Sequence, residues 1–148
     1  MRISAKGRYA FAALIEIARQ TKAGELVSVV SISEKLGISK IFLEQTVSAL
    51  KKGEIIQSTK GAKGGYQLAR EARLISALDV LSTVENVLLE KADATVAEQS
   101  PATETALREK LFEKLDRAIK TCLSEVTIQD LLEYADQQGD EQAFMLYM

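Results

Sequence analysis

Apolar residues recur at steps of three and four along most of the chain, and each such run predicts a helix with one buried side. Over residues 4–21 the stripe is Ala10, Ala13, Leu14, Ile17 and Ala18. A shorter run of Val29, Val30, Ile32 and Leu36 falls close to one face and stops at Gly37, which predicts a short core helix. After Ser39, whose hydroxyl suits an N-cap, Ile41, Leu43, Val47 and Leu50 repeat the helical spacing, and Gly53 is placed to end the run. Strand character follows in Ile55 to Lys60, and Tyr66, Gln67 and Leu68 return beside it. The tip between them, Gly61-Ala62-Lys63-Gly64-Gly65, holds three glycines that permit positive φ and add little bulk. Two helices across a glycine-containing turn, followed by a hairpin, are the arrangement of a winged helix-turn-helix, whose second helix enters the DNA major groove.

Beyond the hairpin, Ser76 and Asp79 resemble a capping box opening a helix to about Glu85, with Val80, Leu81 and Val84 buried. From Glu90 to Thr103 the residues turn small and polar, as in an exposed or mobile linker. Ser100 and Pro101 then suit the cap and first position of a long helix striped by Leu107, Leu111, Leu115, Ala118, Ile119 and Cys122. A 20-residue helix spans about 30 Å, more than a small domain readily covers, so a second copy is the simplest partner and packing on its own domain the alternative. Thr127 opens a last short helix carrying Ile128, Leu131, Leu132 and Ala135. The ending Phe144-Met145-Leu146-Tyr147-Met148 is almost wholly apolar, and it either folds back on the core or serves as a handle for another protein. The expected fold is therefore mainly α with a small β-hairpin wing. Residues 1–86 form the winged helix-turn-helix, 87–103 the linker, and 104–148 the dimerisation helix and tail.

Length and composition change this picture little: 148 residues with 47% hydrophobic content can bury a core in one domain with a helical extension. No apolar run reaches the roughly 18 residues of a membrane span, and Glu16 and Arg19 interrupt the apolar N-terminus, which reads as a folded helix and not a signal peptide. One cysteine without a secretion signal points to the cytoplasm and to no disulfide within the chain.

Charge changes it more. The net charge of -2 divides into 12 Lys or Arg against 5 Asp or Glu in residues 1–70, and 7 against 16 in residues 71–148. A +7 front can neutralise phosphates while a -9 back faces solvent or protein. Candidate DNA contacts are Ser39, Lys40, Glu44, Gln45 and Ser48 on the second helix, and Lys60, Gly61, Lys63, Gly64, Gly65 and Tyr66 on the wing. Arg2, Lys6 and Arg8 at the start of the first helix complete the set, with a merely solvated basic end as the alternative.

Catalytic chemistry has no foothold. There is no histidine, one cysteine cannot chelate a metal alone, and the glycine-rich tip lacks the spacing of a phosphate-binding loop. Cys122 reads as a small buried hydrophobe, with a redox sensor as the lesser reading.

On MRISAKGRYA at the start, FLEQ in the second helix and KGAKGGYQL in the wing, the chain resembles the Rrf2 family of bacterial winged helix-turn-helix regulators over nearly its whole length. The resemblance implies a homodimer on a palindromic operator, with Glu44, Gln45 and the wing near the groove. Members that bind an iron-sulfur cluster do so through three cysteines leading into the dimer helix. The matching stretch here, Leu89 to Thr105, has none, so no cofactor is expected. Among cluster-free members, the ending DEQAFMLYM is similar to that of a repressor of cysteine metabolism. That likeness implies cysteine synthase as a partner and Phe144, Met145, Leu146, Tyr147 and Met148 as the docking segment. Two departures stand out: Lys60 where relatives usually carry arginine, and Met148 where synthase-docking tails commonly end in isoleucine. The leading expectation is a repressor signalled through a protein partner. A thiol redox regulator using Cys122 and an interaction module that has lost DNA binding stay open.

Overall fold

The computed structural model describes residues 3–85 and 90–147. Its first helix, α1 (Ala5–Lys22), begins at Ser4, whose hydroxyl accepts from the Gly7 N–H at 3.1 Å. Ser4 in turn donates its own N–H to the carboxylate of Glu85 at 3.0 Å. An anion at a helix N-terminus is favourable, so Glu85 offsets the positive charge that Lys6 and Arg8 bring there. Gly7 is bare because a Cβ at that point would run into the side chains of Glu85 and Ile3.

Helices α2 (Val29–Leu36) and α3 (Lys40–Lys52) meet at Gly37, whose φ of 66° is left-handed. The Ser33 hydroxyl donates to the Ile38 carbonyl at 2.6 Å and closes that turn. Of the apolar run in α2 only Ile32 is fully buried, and Val30 and Leu36 lie outside. A short helix packed along one line has room for one side chain in the core.

On α3 the buried residues are Leu43, Thr46, Val47 and Leu50. Two expectations are corrected here. Ser39 stands at the N-cap, but its hydroxyl makes no capping bond. Ile41 is not a core residue and is 72% exposed. The helix does end at Gly53, but for a different reason than a left-handed cap: Gly53 has a φ of -81°, and the positive φ of 60° falls on Glu54. Gly53 lacks a side chain because a Cβ would strike Thr83.

The wing pairs β1 (Ile56–Thr59) antiparallel with β2 (Gly65–Leu68), Ile56 opposite Leu68 and Thr59 opposite Gly65. Val27 adds a third short edge, exchanging backbone bonds of 3.0 and 2.8 Å with Tyr66. A single 3-10 turn, Ala72–Leu74, leads to α4 (Ala77–Val84), which opens with the full Ser76–Asp79 capping box.

α7 (Ile128–Leu146) opens with a second capping box, Thr127 with Asp130. The two helix starts are joined by Ala77 N–H to the Val126 carbonyl at 2.7 Å and Ile128 N–H to the Ile75 carbonyl at 2.9 Å. Ile128 and Leu132 therefore enter the same cluster as Leu14, Ile17, Leu43, Leu50 and Val80. The core thus crosses the expected division at 103 and 104, because these backbone bonds carry the last helix back into the winged unit. That helix is also 19 residues long and not short. Phe144, Met145 and Leu146 continue it and stay exposed, so the ending does not fold back on the core.

Between these parts runs a rod of α5 (Pro101–Leu107), a π turn (Arg108–Phe112) and α6 (Glu113–Glu125). α6 lies against α4, and Leu123 is partly buried on the core. The approach to the rod is fastened by Glu104, whose carboxylate accepts the N–H groups of Thr95 and Val96 at 3.0 and 2.9 Å.

Candidate nucleic-acid interface

The face of α3 opposite the core carries Lys40, Glu44, Gln45 and Ser48, all exposed, with Ser39 exposed just before it. Lys40 and Glu44 are 3.9 Å apart and each more than half exposed, a weak pair in water whose charges stay available to other partners. The helix itself is held firmly. Leu43, Val47 and Leu50 anchor it from below, and Phe42 meets Tyr9 of α1 edge-on at 5.1 Å between ring centres.

Wing residues Lys60 and Lys63 are exposed at the tip. Of the tip glycines only Gly61 needs its freedom, with φ of 115°. Gly64 is tight against the carbonyls of Thr59 and Gly61, and a Cβ on Gly65 would lie 2.8 Å from the Val27 oxygen. These two serve the packing of the hairpin. Tyr66 likewise spends its backbone on Val27 and is partly buried on the core, so it belongs to the scaffold of the wing. A trough between wing and helix is lined by Lys51, Lys60, Gly61 and Tyr66, which brings the last turn of α3 beside the tip. At the start of α1, Arg8 is exposed and Lys6 half-buried, while Arg2 lies outside the described residues.

A charge network centred on the buried Glu16 joins α1, α2 and α7. Glu16 of α1 is 3% exposed and is reached by Lys35 of α2 at 2.8 Å and by Arg19 at 2.6 Å. Arg19 also grips Asp136 of α7 at 2.7 Å. Burial pushes the Glu16 carboxyl up, but hydrogen bonds from Lys35 and Gln20 and the charges of Lys35 and Arg19 outweigh it, leaving it below the usual glutamate value. The Asp136 hydrogen bond holds the Arg19 guanidinium above its ordinary value. Asp79 is also lowered: burial raises it, and the Ser76 backbone and hydroxyl bonds together with Arg70, 3.2 Å away, more than compensate. Arg70 thereby ties the base of the wing to α4.

The expected dimer residues lie along the rod. Leu107 and Ile119 are half-buried, and Leu111 and Leu115 are 51% and 52% exposed. Cys122 is exposed, not buried as its place on an apolar stripe suggested, because no element among the described residues covers that side. Phe144, Met145, Leu146 and Tyr147 are exposed at the end of α7, and Met148 lies outside the described residues, as does the boundary at 86 and 87.

Sequence reasoning missed Glu85, Thr83, Glu104 and the Glu16 network. Glu16 alone left a sign, a carboxylate between Ile15 and Ile17 in an otherwise apolar stretch.

A family model described as Rrf2, iron-dependent transcriptional regulator, matches residues 3–134. The transcriptional regulator CymR of Bacillus subtilis is 34% identical over 148 residues, the whole of both chains. IscR of Yersinia enterocolitica is 34% identical over 150 aligned residues, 95% of this chain and 88% of that one. The solved structure of CymR, described as the global cysteine regulator of B. subtilis, superposes with a TM-score of 0.73 at 31% identity, covering 90% of this chain and 98% of that one. T. potens IscR superposes at 0.72 and 32% identity over 93% and 90%.

The iron in that family description does not suit this donor set. Iron-sulfur centres are held chiefly by several thiolates, and this chain has one cysteine and no histidine. Among the described residues no group of three His, Cys, Asp or Glu is gathered for a metal, and the Glu104 carboxylate is committed to backbone N–H groups.

Proposed function

The chain belongs to the Rrf2 family of transcriptional regulators, and from that premise we propose that it acts as a dimeric, sequence-specific repressor controlling cysteine and sulfur metabolism. The observation that carries the DNA-binding reading is the exposed polar face of α3 standing beside a lysine-bearing wing, on the half of the chain with a +7 balance. In this reading Glu44 and Gln45 meet base edges, Lys40, Ser39 and Ser48 set the register, and Lys60, Gly61 and Lys63 bring the wing to the phosphates, with Gly64 keeping the tip tight. Gly65 and Tyr66 hold the wing in shape behind them. Lys6, Arg8 and Arg2 add phosphate contacts from α1.

Two copies pair through Leu107, Leu111, Leu115, Ile119 and Cys122, a reading supported by the exposure of Leu111 and Leu115. Similarity to CymR over the full chain supports cysteine genes as the target. Cysteine synthase is the proposed partner, docking on the exposed end of α7 from Phe144 to Met148. The exposure of Cys122 supports a second reading, in which a thiol switch between subunits carries the signal.

The test is fluorescence anisotropy of a cysteine-uptake promoter duplex and its scrambled counterpart, with and without cysteine synthase. Promoter preference that sharpens with synthase, and loses that gain when residues 144–148 are removed, is the expected result. No preference under either condition overturns the repressor reading. Preference without a synthase effect overturns the partner alone. Cys122→Ser that blunts an oxidant response would move the signal to the thiol.

A further inference from the structure

One residue on the reading face of α3 is out of keeping with its neighbours. Ile41 is 72% exposed, while the four residues around it on the same surface are polar. A helix turns by about 100° per residue, so the nine steps from Ile41 to Leu50 place the two on opposite sides. Leu50 is fully buried, and Ile41 therefore points almost straight away from the core. By the same geometry Ser48 falls nearly beneath it, with Glu44 and Gln45 to either side.

Helix stability does not account for the choice. A β-branched residue loses side-chain freedom in a helix, and lysine, glutamine or alanine would be better there. Lone apolar residues are ordinary on protein surfaces, so it is the position that carries weight. Ile41 is in the first turn of the second helix of a helix-turn-helix, the part that reaches base edges in the major groove. Three chemistries then stand together. A carboxylate accepts from the cytosine amino group, a primary amide pairs with adenine, and an aliphatic side chain packs on the one apolar group in the groove, the thymine 5-methyl.

We propose that Ile41 is a specificity-determining residue that reads a thymine methyl beside the bases met by Glu44 and Gln45. The inference rests on the DNA-binding reading above and deepens it. Burying an isoleucine methyl against the thymine methyl removes apolar surface from water on both sides, and the groove has no other group that rewards it.

The experiment begins with selection of duplexes from a random pool by the wild-type chain. Thymines of the selected operator are then replaced one at a time by deoxyuridine, which removes the methyl and leaves the hydrogen-bonding edge unchanged. Wild type should lose about fourfold in affinity at the contacted thymine, the scale of one buried methyl-sized group. Ile41→Ala should bind the unmodified operator more weakly by a similar factor and be indifferent to deoxyuridine at that position. Unchanged circular dichroism and melting of Ile41→Ala establish that the fold is intact, and Ile41→Ser repeats the measurement with a polar side chain. Wild type indifferent to every deoxyuridine, or equally sensitive with and without Ile41, overturns the inference while the DNA-binding reading stands. Selection that enriches no sequence overturns both.

Discussion

Helix α3 and the rod from Pro101 to Glu125 are written in the same sequence code and meet different fates. Leu43, Val47 and Leu50 step by four and three and are all buried. Leu107, Leu111, Leu115, Ile119 and Cys122 step by four and three as well, yet Leu111, Leu115 and Cys122 stand in the open. One stripe is covered inside the chain, and the other is covered only in part, with Leu111, Leu115 and Cys122 left outside. Spacing records which side of a helix is apolar. It does not record whether the covering surface is on the same molecule. The rod also contains a π turn over Arg108–Phe112, which inserts extra backbone and shifts the phase of the stripe halfway along.

The largest break in this comparison should come from Leu50→Ala. A fully buried leucine cut to alanine loses about 2–5 kcal/mol of stability, measured by urea unfolding. Leu115→Ala, examined at concentrations where the chain is monomeric, should cost less than about 1 kcal/mol, since its side chain is 52% exposed. Equal losses would mean that the rod is covered within one chain after all.

Glu16→Ala should come next, at about 1–3 kcal/mol, because it removes hydrogen bonds to two charged groups, Lys35 that pins α2 to α1 and Arg19 that reaches on to α7. Arg19 and Lys35 can then turn to water, which keeps the loss below that of a deeply buried ion. The pH dependence follows from the lowered carboxyls of Glu16 and Asp79. A carboxyl lowered in the folded state is protonated first in the unfolded chain. Its contribution is whole above the ordinary glutamate value of 4.5 and disappears as pH falls through the folded value. Acid titration of unfolding should therefore fall more steeply in wild type than in Glu16→Ala.

Leu115→Asp sharpens the comparison from the other side. It should shift the chain to monomer in sedimentation and weaken binding to a palindromic duplex at least about tenfold, or roughly 1.4 kcal/mol. The urea midpoint of the monomer should stay in place. The smallest effect belongs to Asp136→Ala, which loosens α7 from Arg19 at a half-exposed pair and should cost about 0.2–1 kcal/mol, less at high salt.

Much of the candidate site was legible because it is local. The turn at Gly37, the capping box of Ser76 and Asp79, the hairpin and the exposed face of Lys40, Glu44, Gln45 and Ser48 each depend on residues within a few positions of one another. What escaped depends on residues far apart. Ile41 lies in the same apolar run as Leu43, Val47 and Leu50 and passed as core, but it stands opposite Leu50 on the helix, so the burial of Leu50 by the rest of the fold is what turns it outward. Gly7 and Gly53 answer to Glu85 and Thr83, each at least 30 positions away in the chain. The last helix looked like an appendage until the joined starts of α4 and α7 placed Ile128 and Leu132 in the core.

By itself, then, the sequence determined the order of helices, turn and wing, the division of charge, and the absence of thiolates for a cluster, because each follows from residue type or short spacing. Tertiary structure decided which apolar stripes are covered, which glycines make room for a neighbour, and which single aliphatic side chain points out of the reading helix. Those outcomes depend on contacts between distant segments, and a hydrophobic period fixes a direction without naming what lies there.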